Sequence, residues 1–170
     1  TGLDYSFRDT AGSPASTALA AMETAPEGRG LIVTTCDHAL LSPDMIRRFL
    51  DEAVMNDAAA ACVDRTVYET RFPGSRRTFI KLKDLQFSGA NLFWFAGARA
   101  KGLADFWRKL EANRKNPLAM ARQIGVTTAI AYALGAITKA GLEKSIRERT
   151  GVGARLITLT NAEAAIDVDK

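Results

Sequence analysis

Two aspartates that lie far apart in the chain each follow an apolar run typical of a buried strand. Asp37 comes after Leu31–Thr35, and Asp169 comes after Ala165 and Ile166, close to the end of the chain. A carboxylate at the carboxyl end of a parallel strand lies in the crevice where α/β proteins bind ligands. Two such carboxylates can hold one Mg²⁺ against the phosphates of a nucleotide. The alternative is that Asp37 only closes a turn.

Length and composition indicate one ordinary globular domain. The chain has 170 residues, of which 47% are hydrophobic and 25% charged, so it can bury a sizeable core. The net charge of +4 is small and dispersed, which allows an anionic substrate but does not indicate nucleic acid. There is no signal-peptide pattern and no apolar stretch of spanning length. We therefore expect a cytoplasmic protein with no membrane partner.

The hydrophobic pattern alternates between strands and helices. Leu31–Thr35 and Ala58–Val63 read as buried strands, and Ser42 with Pro43 begins the helix between them, which makes a βαβ unit and predicts a parallel sheet. We expect Asp64–Gly74 to be irregular. Further strands are predicted at 77–82, 92–95, 154–160 and just before the end, and further helices from Ser16 or Thr17 to Pro26 and at 98–113, 117–124, 127–134 and 142–149.

Two other segments have the composition of ligand-binding loops. Hydroxyls and free N–H groups in Gly12–Thr17, just before a helix, favour an anion, although any capped helix looks similar. In Phe87–Asn91, Gly89 permits close approach of a ligand and Asn91 offers both a donor and an acceptor, although an ordinary tight turn fits as well. Five basic residues lie close together in the sequence, and they either contact phosphate or form a solvated strand face. They are Arg71, Arg76, Arg77, Lys81 and Lys83.

The remaining reactive side chains give weaker signals. Cys36 and Cys62 lie in strand-like runs without metal-ligand spacing, which predicts two buried, reduced thiols. His38, the only histidine, either touches a ligand beside Asp37 or is a turn residue. If Ile166 and Val168 pack inward, Asp167 and Asp169 share the opposite face, and the sequence leaves open which of them serves the site.

The order of these motifs is informative. A serine-bearing helix start is followed by Cys-Asp-His-Ala-Leu-Leu, then by Ser-Gly-Ala-Asn-Leu-Phe, and finally by Ile-Asp-Val-Asp-Lys. From Gly12 to Lys170 the chain resembles the MobA-like NTP transferases, which are nucleotidyltransferases related to molybdenum cofactor guanylyltransferase. The resemblance implies an α/β, Rossmann-like GT-A fold with a mainly parallel sheet flanked by helices.

The resemblance also implies roles for particular residues. Asp37 and Asp169 match the two metal aspartates and would be the catalytic pair. Ser16, with Asp37, would lie beside the nucleotide. The acceptor side would be formed by Gly89, Asn91, Arg77 and Lys81.

The chain departs from the family pattern in its ends. The glycine-rich nucleotide loop of the family, with its downstream Arg and Lys, is not in this sequence, and the chain stops before the acidic helix that usually follows the terminal motif. Ala39 stands where many members have proline. We therefore expect residues 1–170 to form a single catalytic domain that lacks its first βα unit and is incomplete at both ends.

The implied reaction is Mg²⁺-dependent transfer of a nucleoside monophosphate from an NTP to a phosphorylated or otherwise anionic small molecule, with release of pyrophosphate. The alternatives are a glycosyltransferase or a non-catalytic nucleotide-binding domain on the same fold. The apolar segment Val126–Ile137 is either part of the core or the face of a homodimer.

Overall fold

The structure, a computed structural model, describes residue 7 and residues 9–26, 28–113 and 116–168. Strands and helices alternate along most of this length. The strands are β1 (Leu31–Thr34), β2 (Ala58–Asp64), β3 (Ile80–Lys81), β4 (Gln86–Phe95) and β5 (Ala154–Leu159). The helices are α1 (Pro14–Thr24), α2 (Pro43–Ala53), α3 (Arg65–Arg71), α4 (Lys101–Ala112), α5 (Pro117–Ile124), α6 (Val126–Ala133) and α7 (Lys139–Thr150), with short 3₁₀ turns at Gly97–Ala100 and Ala162–Ala165.

The strands form one mixed sheet in the order β1-β4-β2-β5, and β3 also pairs with β4. β2 and β5 are parallel neighbours, whereas β4 runs antiparallel to β1, β2 and β3. Four strands therefore point in one direction and β4 opposes them. The α/β class is confirmed. The βαβ pattern did not reveal that β4 is inserted between β1 and β2. The sequence distance between β1 and β2 is the same whether or not a later strand lies between them in the sheet.

Helices cover both faces of the sheet. On one face, α2 and α3 pack with the turn Ala162–Ala165 around the fully buried Phe49 and Tyr68. Met45, Phe49 and Ala53 follow one another at four-residue intervals along α2, which places all three on the buried side of the helix. On the other face, α1 and α4 pack around Phe95.

Capping residues explain most of the helix boundaries. Ser42 caps α2 by accepting a hydrogen bond from the Met45 N–H, as predicted. The helix α1 starts earlier than predicted, because Ser13, rather than Ser16 or Thr17, is its cap, and Pro14 follows it. In α6 the β-branched residues are helical, and none of the side chains is buried, so this is not a core helix.

Four predictions about local structure were wrong. The stretch 64–74 contains helix α3, because the Asp64 carboxylate accepts a hydrogen bond from the Thr66 N–H and Tyr68 is buried. The strand predicted at 77–82 is reduced to Ile80–Lys81, and residues 166–168 form no strand. Cys62 is buried as predicted, but Cys36 is exposed because it lies in the turn after β1.

None of the helices in the described part of the chain is both long and apolar enough to cross a membrane.

Candidate functional site

The turn that follows β1 contains an unusual concentration of polar atoms without partners. The Oδ1 atom of Asp37, the Oγ1 atom of Thr35 and the Nε2 atom of His38 are all buried and make no hydrogen bond to the protein. His38 is only 7% exposed, and its Nδ1 atom lies 3.2 Å from the Thr34 hydroxyl. Buried polar atoms are normally paired. These unpaired polar atoms mark the turn as the centre of the candidate site.

The terminal segment of the described chain reaches this turn. The backbone N–H of Val168 donates a hydrogen bond of 2.9 Å to the carbonyl oxygen of Asp37. Ile166 packs against the core, whereas Val168 is 62% exposed, so the two residues do not both pack inward. Asp169, the second predicted metal aspartate, lies outside the described residues. The contact nevertheless brings the residue that precedes it in sequence directly to Asp37.

An ion pair holds the same segment in place. The Arg77 guanidinium contacts both carboxylate oxygens of Asp167, at 3.1 Å from Nη1 and 3.2 Å from Nη2. It also donates from Nε to the Ser88 hydroxyl at 2.8 Å and from Nη2 to the Gly89 carbonyl at 3.4 Å. The side chains of Arg77 and Asp167 are only 18% and 20% exposed. Arg77, predicted to line the acceptor side, is thus bound mainly by the protein itself.

Strand β4 has a gap in its pairing beside this ion pair. On one edge of β4, β1 pairs with Leu92–Phe95 and β3 pairs with Gln86 and Phe87, so residues 88–91 have no strand partner there. On the opposite edge the register with β2 shifts between Ala60 and Cys62. Bulges of this kind are frequent beside active sites. The gap lies at the same end of the sheet as the turn after β1.

The two predicted acceptor residues Gly89 and Asn91 both lie in this gap. Asn91 has a φ of +45°, the one positive φ at a non-glycine residue in the described chain. Asparagine adopts this conformation more readily than most residues, and left-handed residues occur at turns, bulges and functional sites. A Cβ atom built on Gly89 would meet no atom within 4 Å, and its φ is not positive. Neither packing nor conformation requires glycine at 89, and the space beside it is open.

Ser16 and Lys81 are less directly connected to the turn. The Ser16 N–H and hydroxyl both contact the Ser13 hydroxyl in the first turn of α1. Met22, near the other end of α1, belongs to the core cluster against which Leu31 packs at the start of β1. Lys81 is exposed and pairs with Gln86, about 10 Å along β4 from Gly89.

Apart from the turn and the gap along β4, a cleft lies at the carboxyl ends of β2 and β5, next to the terminal segment. Its volume is about 410 Å³, and its polar lining comprises Thr66, Thr70, Arg71, Thr160 and Glu163. Arg71 donates a hydrogen bond of 2.8 Å to Glu163. A hydrogen bond from its own backbone, and then the one from Arg71, hold the pKa of the Glu163 carboxyl below its usual value. Glu163 is therefore an anion at neutral pH, and its negative charge neutralises the positive charge of Arg71.

The donor set of the turn suits a hard cation such as Mg²⁺. Asp37 provides a carboxylate oxygen that no protein group engages. Within the residues that the structure describes, no three acidic, histidine or cysteine side chains converge on one point. Mg²⁺ typically takes one or two protein carboxylates and keeps several waters. Asp37 together with one further carboxylate would therefore be a sufficient set.

Sequence reasoning missed the contacts that organise this site. Arg77 and Asp167 are 90 residues apart, and no spacing rule links them. Ser88 and Thr35 were also overlooked, because a hydroxyl beside a glycine or an acid is too common to be informative. The nearest signal was that Asp167 stands inside the terminal motif and that the resemblance assigned Arg77 to the acceptor side.

Comparison with known proteins identifies the class. Residues 5–151 match the family model of the MobA-like NTP transferase domain. The chain therefore belongs to the MobA-like NTP transferase family, as the order of its motifs indicated. Membership supports a nucleotidyltransferase-type enzyme that uses a nucleotide substrate.

A solved structure supports the same assignment. The fold is similar to that of a protein described as a hypothetical transferase from Thermus thermophilus, with a TM-score of 0.83 and 29% sequence identity. The similarity covers 94% of this chain and 68% of that one. The comparison with curated proteins found no match.

Proposed function

We propose that this protein transfers a nucleoside monophosphate from an NTP to a phosphorylated or otherwise anionic small molecule and releases pyrophosphate. The observation that carries the proposal is the turn after β1. There Asp37 presents a buried carboxylate oxygen that has no protein partner, and the backbone of Val168 ties the terminal segment to the same residue. Family membership supplies the reaction class.

Asp37 and Asp169 would hold one Mg²⁺ ion in this proposal. When bound, the ion neutralises charge on the phosphates and on the departing pyrophosphate. Little covalent chemistry is required of the protein in such transfers, so most of the rate comes from positioning and from electrostatic stabilisation. The rigid turn after β1 suits that role, because its backbone is fixed by strand pairing on one side and by Val168 on the other.

The acceptor is proposed to lie in the gap along β4. The open space beside Gly89 lets a ligand approach the backbone closely, and Asn91, whose backbone is left-handed, offers both a donor and an acceptor beside it. Lys81, exposed at the outer end of the gap, adds positive charge that attracts an anionic acceptor. Ser16 would contribute to the nucleotide side from the start of α1.

The test uses the full-length protein, Mg²⁺, each NTP labelled at the α-phosphate, and a panel of phosphorylated acceptors. We expect pyrophosphate release together with transfer of the label to one acceptor class. The variant Asp37→Ala should lose this activity. The matched control is Asp44→Ala, because Asp44 is exposed in the first turn of α2 and pairs with Arg47.

Two results would contradict the proposal. Turnover of a nucleotide-sugar without pyrophosphate release would identify a glycosyltransferase. Nucleotide binding with no pyrophosphate from any acceptor would identify a non-catalytic domain.

A further inference from the structure

We propose that Arg77 is a positioning residue, which clamps Asp167 and so holds residues 166–168, the terminal segment whose backbone reaches Asp37. This inference rests on the proposed function, since it assigns Arg77 to the support of the metal site. It replaces the role of acceptor ligand that the sequence suggested for this residue.

The first argument is the geometry of the ion pair. Two guanidinium nitrogens of Arg77 contact the two oxygens of Asp167, at 3.1 and 3.2 Å. This bidentate arrangement fixes the orientation of a carboxylate as well as its distance. Both side chains are about four-fifths buried, so the contact is only weakly screened by solvent. A flexible surface pair would show neither feature.

The second argument is how Arg77 is itself anchored. Its Nε atom donates to the hydroxyl of Ser88, which is only 5% exposed, and Nη2 also lies 3.4 Å from the Gly89 carbonyl. Both partners belong to β4, which lies between β1 and β2 in the sheet. Arg77 therefore connects the terminal segment to an interior strand of the sheet rather than to another loop.

The third argument is that few other contacts hold the terminal segment. Residues 166–168 have no strand partner. Backbone hydrogen bonds join Ile166 to Glu163, within the segment's own turn, and Val168 to Asp37, at the site. In the described structure the Arg77–Asp167 pair is the polar side-chain contact that ties this short stretch to the sheet, beside the packing of Ile166 against the core. Without the pair, the approach of the segment to Asp37 would depend on that packing and on one backbone hydrogen bond.

The fourth argument concerns the capacity of the guanidinium. Arginine has five N–H donors. Three of them make hydrogen bonds to Ser88, Gly89 and one oxygen of Asp167, and the other two are on Nη1, which lies 3.1 Å from the second Asp167 oxygen. A residue that bound an anionic acceptor would be expected to keep at least one guanidinium nitrogen without a protein partner. The occupied donors favour a supporting role.

The test compares variants of the full-length protein. Arg77→Met and Asp167→Asn each remove one side of the clamp, and the double variant removes both. Arg77→Lys keeps the charge but not the bidentate geometry. Arg76→Met is the matched control, because Arg76 is the exposed neighbour of the same residue type. Thermal melting checks that each variant is folded. If Arg77→Met does not fold, the test is made with Asp167→Asn and Arg77→Lys instead.

Three measurements decide the question. The first is the amide exchange rate of Val168, which needs no activity. The second is the affinity for Mn²⁺ as a spectroscopic probe of the metal site. The third is kcat together with the KM for the acceptor. Loss of a residue that supports a metal ligand typically lowers metal affinity or activity about 10- to 100-fold.

The clamp predicts faster Val168 exchange, weaker Mn²⁺ binding and lower kcat in Arg77→Met and Asp167→Asn, with little change in acceptor KM. The double variant should be no worse than either single one, and Arg77→Lys should be intermediate. The proposal is overturned if Val168 exchange is unchanged, or if Arg77→Met raises acceptor KM while Asp167→Asn does not. If the wild-type protein transfers no nucleotide, the proposed function fails, and the exchange rates still decide the clamp.

Discussion

Replacing Asp37 with alanine should make the protein more stable while it destroys the activity. Asp37 is half-buried, and one of its carboxylate oxygens is buried without any hydrogen-bond partner. An unsatisfied buried acceptor costs about 1–3 kcal/mol of stability, more when it is charged. The carboxylate is expected to be tolerated there because a ligand uses it. Removing it relieves that cost in the free protein.

The expected magnitudes follow from the exposure of the side chain. Because only one oxygen is buried, we take the lower end of the range, about 1 kcal/mol of added stability. For a domain of this size that corresponds to a rise in Tm of about 2–4 °C. Turnover should fall by on the order of 100-fold or more, the scale of losing a preorganised electrostatic element. Stability and activity should thus change in opposite directions.

The assay measures urea unfolding of the free protein, with and without Mg²⁺ and nucleotide, alongside turnover. Ligands at about 100 times their Kd should stabilise the wild type by about 2.7 kcal/mol and Asp37→Ala by much less. Asp44→Ala is the control. It loses an exposed pair with Arg47 and a favourable position at the start of α2, so it should be slightly less stable and fully active.

Either of two results would refute this reasoning. If Asp37→Ala is clearly less stable than the wild type, the carboxylate has a structural partner and the turn is held together by it. If the variant keeps normal turnover, Asp37 has no role in binding the metal or nucleotide.

Three further predictions concern packing and access. Gly30→Ala should destabilise the fold by about 1–3 kcal/mol or more in urea unfolding, because the new Cβ would lie within 2.5 Å of the Trp94 ring. Gly89→Ala, where the Cβ meets open space, should keep its Tm but raise the acceptor KM on the order of 10-fold; an unchanged KM would remove Gly89 from the acceptor site. Thiol reagents should label exposed Cys36 and spare Cys62 until unfolding, since burial raises the pKa of the Cys62 thiol. Mass spectrometry of the labelled peptides checks this, and early labelling of Cys62 would contradict it.

The local elements were largely predictable because their signals are short-range. Ser42 and Pro43 fixed the start of α2, and the apolar run before Asp37 identified β1 within one residue of its observed end. Helix α3 was missed because its capping residue, Asp64, closes the preceding strand and only the burial of Tyr68 makes the helix favourable. Cys36 was predicted to be buried because it follows an apolar run. The strand in that run ends at Thr34, so Cys36 lies in the turn and is exposed.

The sequence by itself determined the α/β class, the order of the motifs and the placement of Asp37 after a strand, because these depend on periodicity and on residues close together in the chain. Tertiary structure decided which distant residues meet. It inserted β4 between β1 and β2, opened a gap along β4, and paired Arg77 with Asp167 across 90 residues. Contacts of that kind are fixed by how the sheet and the terminal segment pack, and no local pattern of residues encodes them.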